Sequence, residues 1–399
     1  MFGWNLKHSS LRPIALDIGH SHVKMVQLQL GGGRTSVVAA CKAPIEAAAA
    51  DSPEKRTDAV VEAVRQMLAR NPFHGRNVVS HLPNSALRMT SLRLQENDPN
   101  RIMKALAAEA ADRFGLNPDV DIINYLVAGA VRQNDDVKNE LIVIAAADEA
   151  IRAHIEMLER AQLRPVSIDT IPTALFRGFT RSLRRQEDKQ RTAIFVDIGA
   201  RYTSIVFGRA GEINFIKQVK IGVDDFDTAI AERLDIQPGE AQSLRAKFRR
   251  ERSAEYATVS VSDTDRLLDE STKLDPQTRQ AIVDSLTAVS EKVAGEVSLC
   301  LRYYTVSFRG KRVERAWVSG GGTYETLLLN VLKRKLAVEV DVAYPLRGCD
   351  TSGKNIEANL GGDRRGALSE WAVAVGLGLK GCSRTRMSVD EPEPVAASV

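Results

Sequence analysis

Two Asp-x-Gly tripeptides carry most of the chemistry this sequence can offer. Asp17-Ile18-Gly19 sits in IALDIGHSHVKMVQLQLGG at 14–32, and Asp197-Ile198-Gly199 in AIFVDIGARYTSIVFGRAG at 193–211. Each lies between two β-prone runs and reads as a hairpin turn. Such turns aim backbone N–H groups at an anion. A carboxylate beside them can serve a divalent cation through water, since Mg²⁺ keeps much of its hydration shell and takes few protein ligands. Asp and Gly are common in any turn, so one copy would say little. Asp197 follows Asp17 by 180 positions, and Gly199 follows Gly19 by the same interval. That duplication predicts a nucleotide and its cation held in a gap between the two turns.

Other residues extend the set. Lys24, on the strand leaving the first turn, offers phosphate a compact positive charge; its plainer reading is a solvent-facing strand lysine. Gly320, Gly321 and Gly322 end the run RAWVSGGG and precede a helix. Glycines there let the backbone approach a ligand, and a helix amino end favours negative charge. Gly222, opening a further predicted helix, joins them. His20, Ser21 and His22 fill the first turn without the spacing of a metal site. No GxSxG, HExxH or P-loop pattern occurs, so no nucleophile constellation is predicted.

The elements that must position these residues follow from periodicity. Residues 14–18 and 23–30 alternate as a half-buried hairpin. Val60, Val61, Val64, Met67 and Leu68 form the apolar face of a helix over 56–70, ended by Asn71-Pro72. A separate block follows, with strands near 77–82, 87–94, 121–131 and 141–147 and helices near 99–114 and 148–162. After the charged connection 182–191 the opening pattern returns. Helices are predicted over 219–235, 286–304, 323–336 and 370–381, and strands over 315–322 and 338–343. The stretch 249–280 is polar. The tail 383–399 lacks apolar periodicity and is expected to be disordered.

Composition narrows the class. A chain of 399 residues suffices for two or three packed units. Hydrophobic residues at 44 % and charged residues at 27 % exclude wholesale disorder and a fibrous class. The net charge of +4 is too small to point to nucleic acid. Cys41, Cys300, Cys349 and Cys382 lie far apart, against a zinc site or disulfide framework and in keeping with a reducing cytosol. No run has the length of a signal or spanning segment. Membrane association is therefore expected only through a partner.

Taken together, IALDIGHSHVK, AIFVDIGARYTSIV and AWVSGGG resemble, in order and spacing, the two phosphate motifs and the adenosine motif of the actin-like, sugar kinase and heat-shock ATPase superfamily. Within it, residues 12–381 resemble the PilM family of type IV pilus assembly proteins, relatives of the cell-division protein FtsA. The segments VVSHLPNSALRMTSLRL, RIMKALAAEAADRFGLNPDVDIINYLV and LIVIAAADEAIRAHIEMLERAQLRPVSIDTIPTAL carry that likeness, with KIGVDDFDTAIAERLDI, GEVSLCLRYYTVSFRG and WAVAVGLGLKG. The resemblance implies an α/β, actin-like (ribonuclease H-like) two-lobed fold with an inserted α+β subdomain. The lobes would be 14–75 with 166–192, and 193–382; the insert would be 76–165, after an amino-terminal segment 1–13. Asp17, Gly19, His20, Ser21 and Lys24 would face the first phosphate side, and Asp197, Gly199 and Thr203 the second. Gly222 would lie near the nucleotide, Gly320, Gly321 and Gly322 would face the adenosine, and Asp17 and Asp197 would hold Mg²⁺ through water.

The resemblance further implies ATP as cofactor and, as partner, the amino-terminal cytoplasmic peptide of the inner-membrane protein PilN. PilO, PilP and the platform and motor proteins would be reached through PilN, at the cytoplasmic side of the inner membrane, with self-association left open. Leu82, Pro83, Leu92, Leu94, Leu106, Glu109, Phe114 and Leu116 fall where the peptide groove would be built or bordered. Departures from the family pattern lie in the turns themselves. His20 and His22 replace small hydroxyl residues, Arg201 and Tyr202 replace small ones, Val223 replaces a glycine, and Ile171 stands where relatives have Glu. Isoleucine cannot polarise water, so the expectation is nucleotide binding with weak or absent hydrolysis. The alternatives are a sugar or acetate kinase of the same superfamily and a GspL-like scaffold of type II secretion.

Overall fold

The computed structural model describes residues 10–46, 52–133, 136–181, 191–209, 211–258, 273–308, 312–353, 355–360 and 368–380. Most of the charged connection at 182–191 and the whole tail at 383–399 lie outside these residues.

One sheet is built from β1 (Ser10–Leu11), β2 (Ile14–Ile18), β3 (His22–Gly31), β4 (Arg34–Pro44), β5 (Asn77–His81), β9 (Arg164–Asp169) and β15 (Cys349–Asp350). Its order is β15-β4-β3-β2-β5-β9, with β1 beside β3. A second sheet contains β10 (Thr192–Ile198), β11 (Thr203–Arg209), β12 (Glu212–Val219), β13 (Val313–Ser319) and β14 (Glu339–Val342), ordered β12-β11-β10-β13-β14. With β1 and β15 set aside, the two orders are the same. In each, three antiparallel strands from consecutive hairpins are followed by two parallel ones. The duplicated motif seen in the sequence is thus the visible part of a duplicated sheet, and the α/β actin-like architecture is the one present.

Helices flank the sheets. α1 (Pro53–Arg70) starts where the Ser52 side chain accepts from the Lys55 amide with proline in the first turn, a regular amino-terminal cap. It buries Val60, Val61, Val64 and Met67 against Ile14, Leu16, Met25 and Ala39 of the first sheet. α4 (Ile171–Thr180) begins at a Thr170 cap and packs on α10 (Ala372–Gly378), which carries the small residues of the carboxy-terminal segment. Trp371, fully buried, starts that helix and donates from Nε1 to the carbonyl of Leu360, the last residue of the short α9 (Ile356–Leu360). The predicted helix at 370–381 is therefore shorter, beginning with a 3₁₀ turn at Ser369–Trp371. The helix predicted over 323–336 likewise divides into a 3₁₀ turn, Gly321–Tyr324, and α8 (Thr326–Lys335). The stripe at 286–304 belongs to a longer helix, α7 (Pro276–Ser307), preceded by α5 (Val223–Leu234) and α6 (Pro238–Thr258).

The third sheet, β6 (Arg88–Leu94), β8 (Asp136–Ala146) and β7 (Ile122–Gln133), carries α2 (Pro99–Phe114) on one face through Ile102, Leu106, Leu141 and Val143. This corrects the insert boundaries. β5 and β9 hydrogen-bond within the first sheet, and α3 (Asp148–Arg160) packs there through Leu158, so the inserted unit is closer to 88–146 than to 76–165. The insert also shares core with the second sheet: Ala128, Val131 and Ile142 join the cluster of Phe207, Phe215 and Tyr304. Polar bonds reinforce the junction. Arg93 donates to buried Glu140 at 2.6 Å and to the Tyr303 hydroxyl and Ser307 of α7 at 3.1 Å each. The Asn214 amide donates to the Ala128 carbonyl at 2.7 Å.

One buried group makes the fold sensitive to acid. His154 of α3 lies 2.9 Å from Ser80 Oγ, and burial together with the positive charge of His81 pushes its imidazole down from 6.5 to about 4. Between those values the unfolded chain binds the proton and the folded chain does not, so stability is lost as pH falls through the window. The loss from this group is about 3 kcal/mol. Urea midpoints measured from pH 7 to pH 4 should show a shallower decline for His154→Gln than for the wild type. Parallel curves would rule this origin out.

Candidate functional site

The two Asp-x-Gly turns have the same geometry. Gly19 donates its N–H to the His22 carbonyl and Gly199 to the Tyr202 carbonyl, each at 3.0 Å. A Cβ on these glycines would lie 3.0 Å and 3.1 Å from the same carbonyls, a tight contact that the turn would have to relax by a few tenths of an ångström to accept. These two amides close their turns and are therefore spent.

Register explains how each aspartate is held. On β2 and β3, Asp17 faces Lys24; on β10 and β11, Asp197 faces Ser204. Across the parallel neighbour, Leu16 pairs with Ser80 and Asp197 with Ser319, so His81 and Ser319 occupy equivalent places. Each bonds its aspartate: His81 Nε2 lies 3.0 Å from Asp17 Oδ1, and Ser319 Oγ donates to Asp197 Oδ1 at 2.8 Å. Lys24 Nζ donates to the other Asp17 oxygen at 2.9 Å. Neither partner of these aspartates in the parallel strands was singled out from the sequence. The signal for His81 was present, since a histidine interrupts the apolar run VVSH at a position whose neighbours are buried.

The electrostatics differ between the halves. Burial alone would raise the Asp17 carboxyl, but the charges and hydrogen bonds of Lys24 and His81 outweigh it and hold it well below the usual range. Asp197, with only a neutral hydroxyl beside it, is pushed up to about 6 by desolvation, with a smaller push from the Asp17 charge. Asp17 and Lys24 both act on Asp197, so the two turns lie within electrostatic reach of each other. His20 reaches across to within 3.9 Å of Asp224 in the second lobe, where Arg201 also lies 3.5 Å away. Desolvation and the charges of Arg201 and Arg56 push His20 down to about 4, so it is neutral near pH 7 and its contact with Asp224 is not an ion pair. His22, pushed to about 4 by burial and by Lys42 and Lys24, is neutral as well. Both histidines of the first turn are held neutral chiefly by burial, with a smaller push from nearby cations. Those cations are Lys24, Lys42, Arg56 and Arg201, of which Lys24, Lys42 and Arg201 also lie beside Asp17, Glu370 and Asp224.

The remaining predicted residues divide between the cleft and its frame. Ser21 is exposed at the turn. Thr203 is buried, and its hydroxyl donates to the Ile221 carbonyl at 2.8 Å, tying the second turn to the start of α5. Gly222 is a packing requirement: a Cβ there would lie 2.2 Å from the Ala200 carbonyl oxygen. The first amides of α5 are already used, Val223 N–H by Gly199 O at 2.9 Å and Asp224 N–H by Ala200 O at 2.8 Å. Gly320 has φ +86°, and a Cβ on it would meet the Ile198 carbonyl oxygen at 2.4 Å, which explains that glycine. Gly322 abuts the Ile198 side chain, whereas Gly321 has nothing within 4 Å and borders open space. Behind this turn, buried Arg245 bonds Asp227 and Glu325, fixing α6, α5 and the start of α8 together. Glu370, also buried, accepts from the Tyr324 hydroxyl and lies 3.7 Å from Lys42.

The insert residues are mixed in kind. Leu82 and Leu106 are core, Leu92 and Leu94 lie half-buried beneath α2, and Glu109 pairs with Arg113 at 2.8 Å. Pro83 is exposed, and Phe114 and Leu116 are partly so. Met103, Val120 and Ile122, exposed by 41 %, 55 % and 52 %, add apolar surface to the same region of chain. Among the described residues no three His, Cys, Asp or Glu side chains converge as a metal set.

Comparisons with known proteins match this architecture. A family model described as type IV pilus assembly protein PilM matches residues 15–260. No curated protein matches the sequence. Among solved structures, the chain aligns with the PilM-PilN type IV pilus biogenesis complex with a TM-score of 0.71 at 21 % identity, covering 93 % of this chain and 99 % of that one. Ethanolamine utilization protein EutJ from Carboxydothermus hydrogenoformans gives 0.47 at 14 % identity, over 93 % of this chain and 89 % of that one. The archaeal actin homolog Ta0583 gives 0.44 at 13 %, over 93 % and 99 %. The latter two likenesses are too weak to carry an argument. With a family match across more than half its length, and a duplicated-sheet fold shared with a solved member, this chain belongs to the PilM family of type IV pilus assembly proteins.

Proposed function

We propose that this protein binds ATP in the cleft between its duplicated turns and, on its insert, the amino-terminal cytoplasmic peptide of PilN. The observation that carries the reading is the near full-length likeness to the protein of the PilM-PilN complex, together with membership of its family. The cleft supports the ATP half. Lys24, Lys42, Arg56 and Arg201 concentrate positive charge around the first turn, suited to a triphosphate, and Gly321 leaves the approach open for the adenosine side. Ile171, packed against the core, brings no carboxylate or amide to orient water, which supports an assembly role with weak or absent hydrolysis.

Exposed apolar groups on the insert support the peptide half, since such patches mark interaction surfaces. Among the described residues no helix is long and apolar enough to cross a membrane. Recruitment to the inner membrane runs through PilN, and contact with PilO, PilP and the motor runs through it too. Titration calorimetry of the full chain with a synthetic amino-terminal PilN peptide should show saturable binding, weakened at least about tenfold by Phe114→Glu. That factor corresponds to about 1.4 kcal/mol, within what one apolar anchor supplies. Absence of peptide binding with and without ATP would overturn the proposal.

A further inference from the structure

The resemblance to nucleotide-binding relatives implies Mg²⁺ beside the phosphates, and the side chains at the base of this cleft do not fit one. Asp17 has both carboxylate oxygens engaged by cations, Lys24 at 2.9 Å and His81 at 3.0 Å. The charge on His81 follows from its bonding. Nε2 faces a carboxylate oxygen and Nδ1 faces the Leu82 carbonyl at 2.9 Å. Both partners can only accept, so both ring nitrogens carry hydrogen and the ring is an imidazolium. The trio of Asp17, Lys24 and His81 therefore bears one net positive charge, so it repels a magnesium ion instead of helping the phosphates to hold one. Among the described residues Asp197 makes no ion pair, so a single uncompensated carboxylate stands against the repulsion of two cations.

The second half of the molecule shows that the imidazolium is not a requirement of the fold. At the place equivalent to His81, Ser319 bonds Asp197 with a neutral hydroxyl, and the strand pairing is the same. His81 adds a fixed charge to a position that a serine serves elsewhere. We propose that this cleft binds the polyphosphate of a nucleotide without a divalent cation, His81 and Lys24 holding as fixed charges the place a metal ion would take. This rests on the ATP reading above and deepens it.

Isothermal titration of the full-length protein with ATP, once in EDTA and once in millimolar MgCl₂, tests it. The expected result is an affinity in EDTA equal to or tighter than that in magnesium. A tenfold or greater gain on adding magnesium overturns the metal-independent site and leaves the ATP reading standing. No binding in either buffer overturns both. In parallel, His81→Gln, which keeps a neutral hydrogen-bonding group beside Asp17, should lose at least about tenfold in EDTA and recover part of it in magnesium. Equal affinity of this variant and the wild type in EDTA also overturns the proposal. Circular dichroism of the variant confirms the fold on which the comparison depends.

Discussion

Gly376→Ala is expected to destabilise the protein by about 3 kcal/mol or more, at the upper end of what overpacking costs. A Cβ at this position would lie 1.9 Å from the Ala174 carbonyl oxygen and 2.5 Å from its carbon. The obstacle is backbone in the neighbouring helix, so no rotamer change relieves it. α4 and α10 would have to separate, which also strains the bond from Arg177 to the Gly376 carbonyl, now 2.9 Å. Arg177 and Lys380 both hold buried Asp169, at 2.9 Å and 3.3 Å, so the damage reaches an ionic cluster. Gly295→Ala is the control. This glycine lies in α7 with nothing within 4 Å of its added Cβ, and the change should stabilise by about 0.5–1 kcal/mol. Urea denaturation of the two variants should move in opposite directions; equal midpoints would refute the packing account.

Lys24→Met is the second large effect, this time on ligand binding. Lys24 is largely buried, touches Asp17 directly and senses the charges of Asp197 and Glu370. Its ammonium is thus the cation held most firmly at the base of the cleft. Hydrogen bonds to charged groups contribute about 1.5–3 kcal/mol, so ATP affinity should fall about ten- to a hundredfold. The methionine fills most of the lost volume, and His81 still satisfies one Asp17 oxygen. A folded Lys24→Met protein that binds ATP as tightly as the wild type would show that the phosphates lie elsewhere.

Much of this architecture is legible in the amino-acid sequence, for specific reasons. The two DIG turns could be paired because the flanking runs are apolar on both sides and the interval repeats. Their supporting glycines were legible as a set, but not by role. Gly222 and Gly320 are glycines because carbonyls of Ala200 and Ile198 press against them, a tertiary fact that spacing does not carry. Thr203 was expected to face phosphate, yet its hydroxyl is bonded to Ile221. His81 escaped because its partner lies 64 positions earlier on a parallel strand, and sequence reading pairs hairpins far more readily than crossovers. The insert's limits were misplaced for the same reason. β5 and β9 are neighbours only through the first sheet, so their contribution to it is invisible until the intervening chain is folded.

The insert is fed by one half of the molecule and fastened to the other. The chain leaves the first sheet at His81 and returns to its helix layer at Asp148, while the Glu140 knot and the Asn214 bond clasp it to α7 and β12. The insert thus ties the first sheet to the second through a span of chain that begins directly after His81, the residue that also holds Asp17.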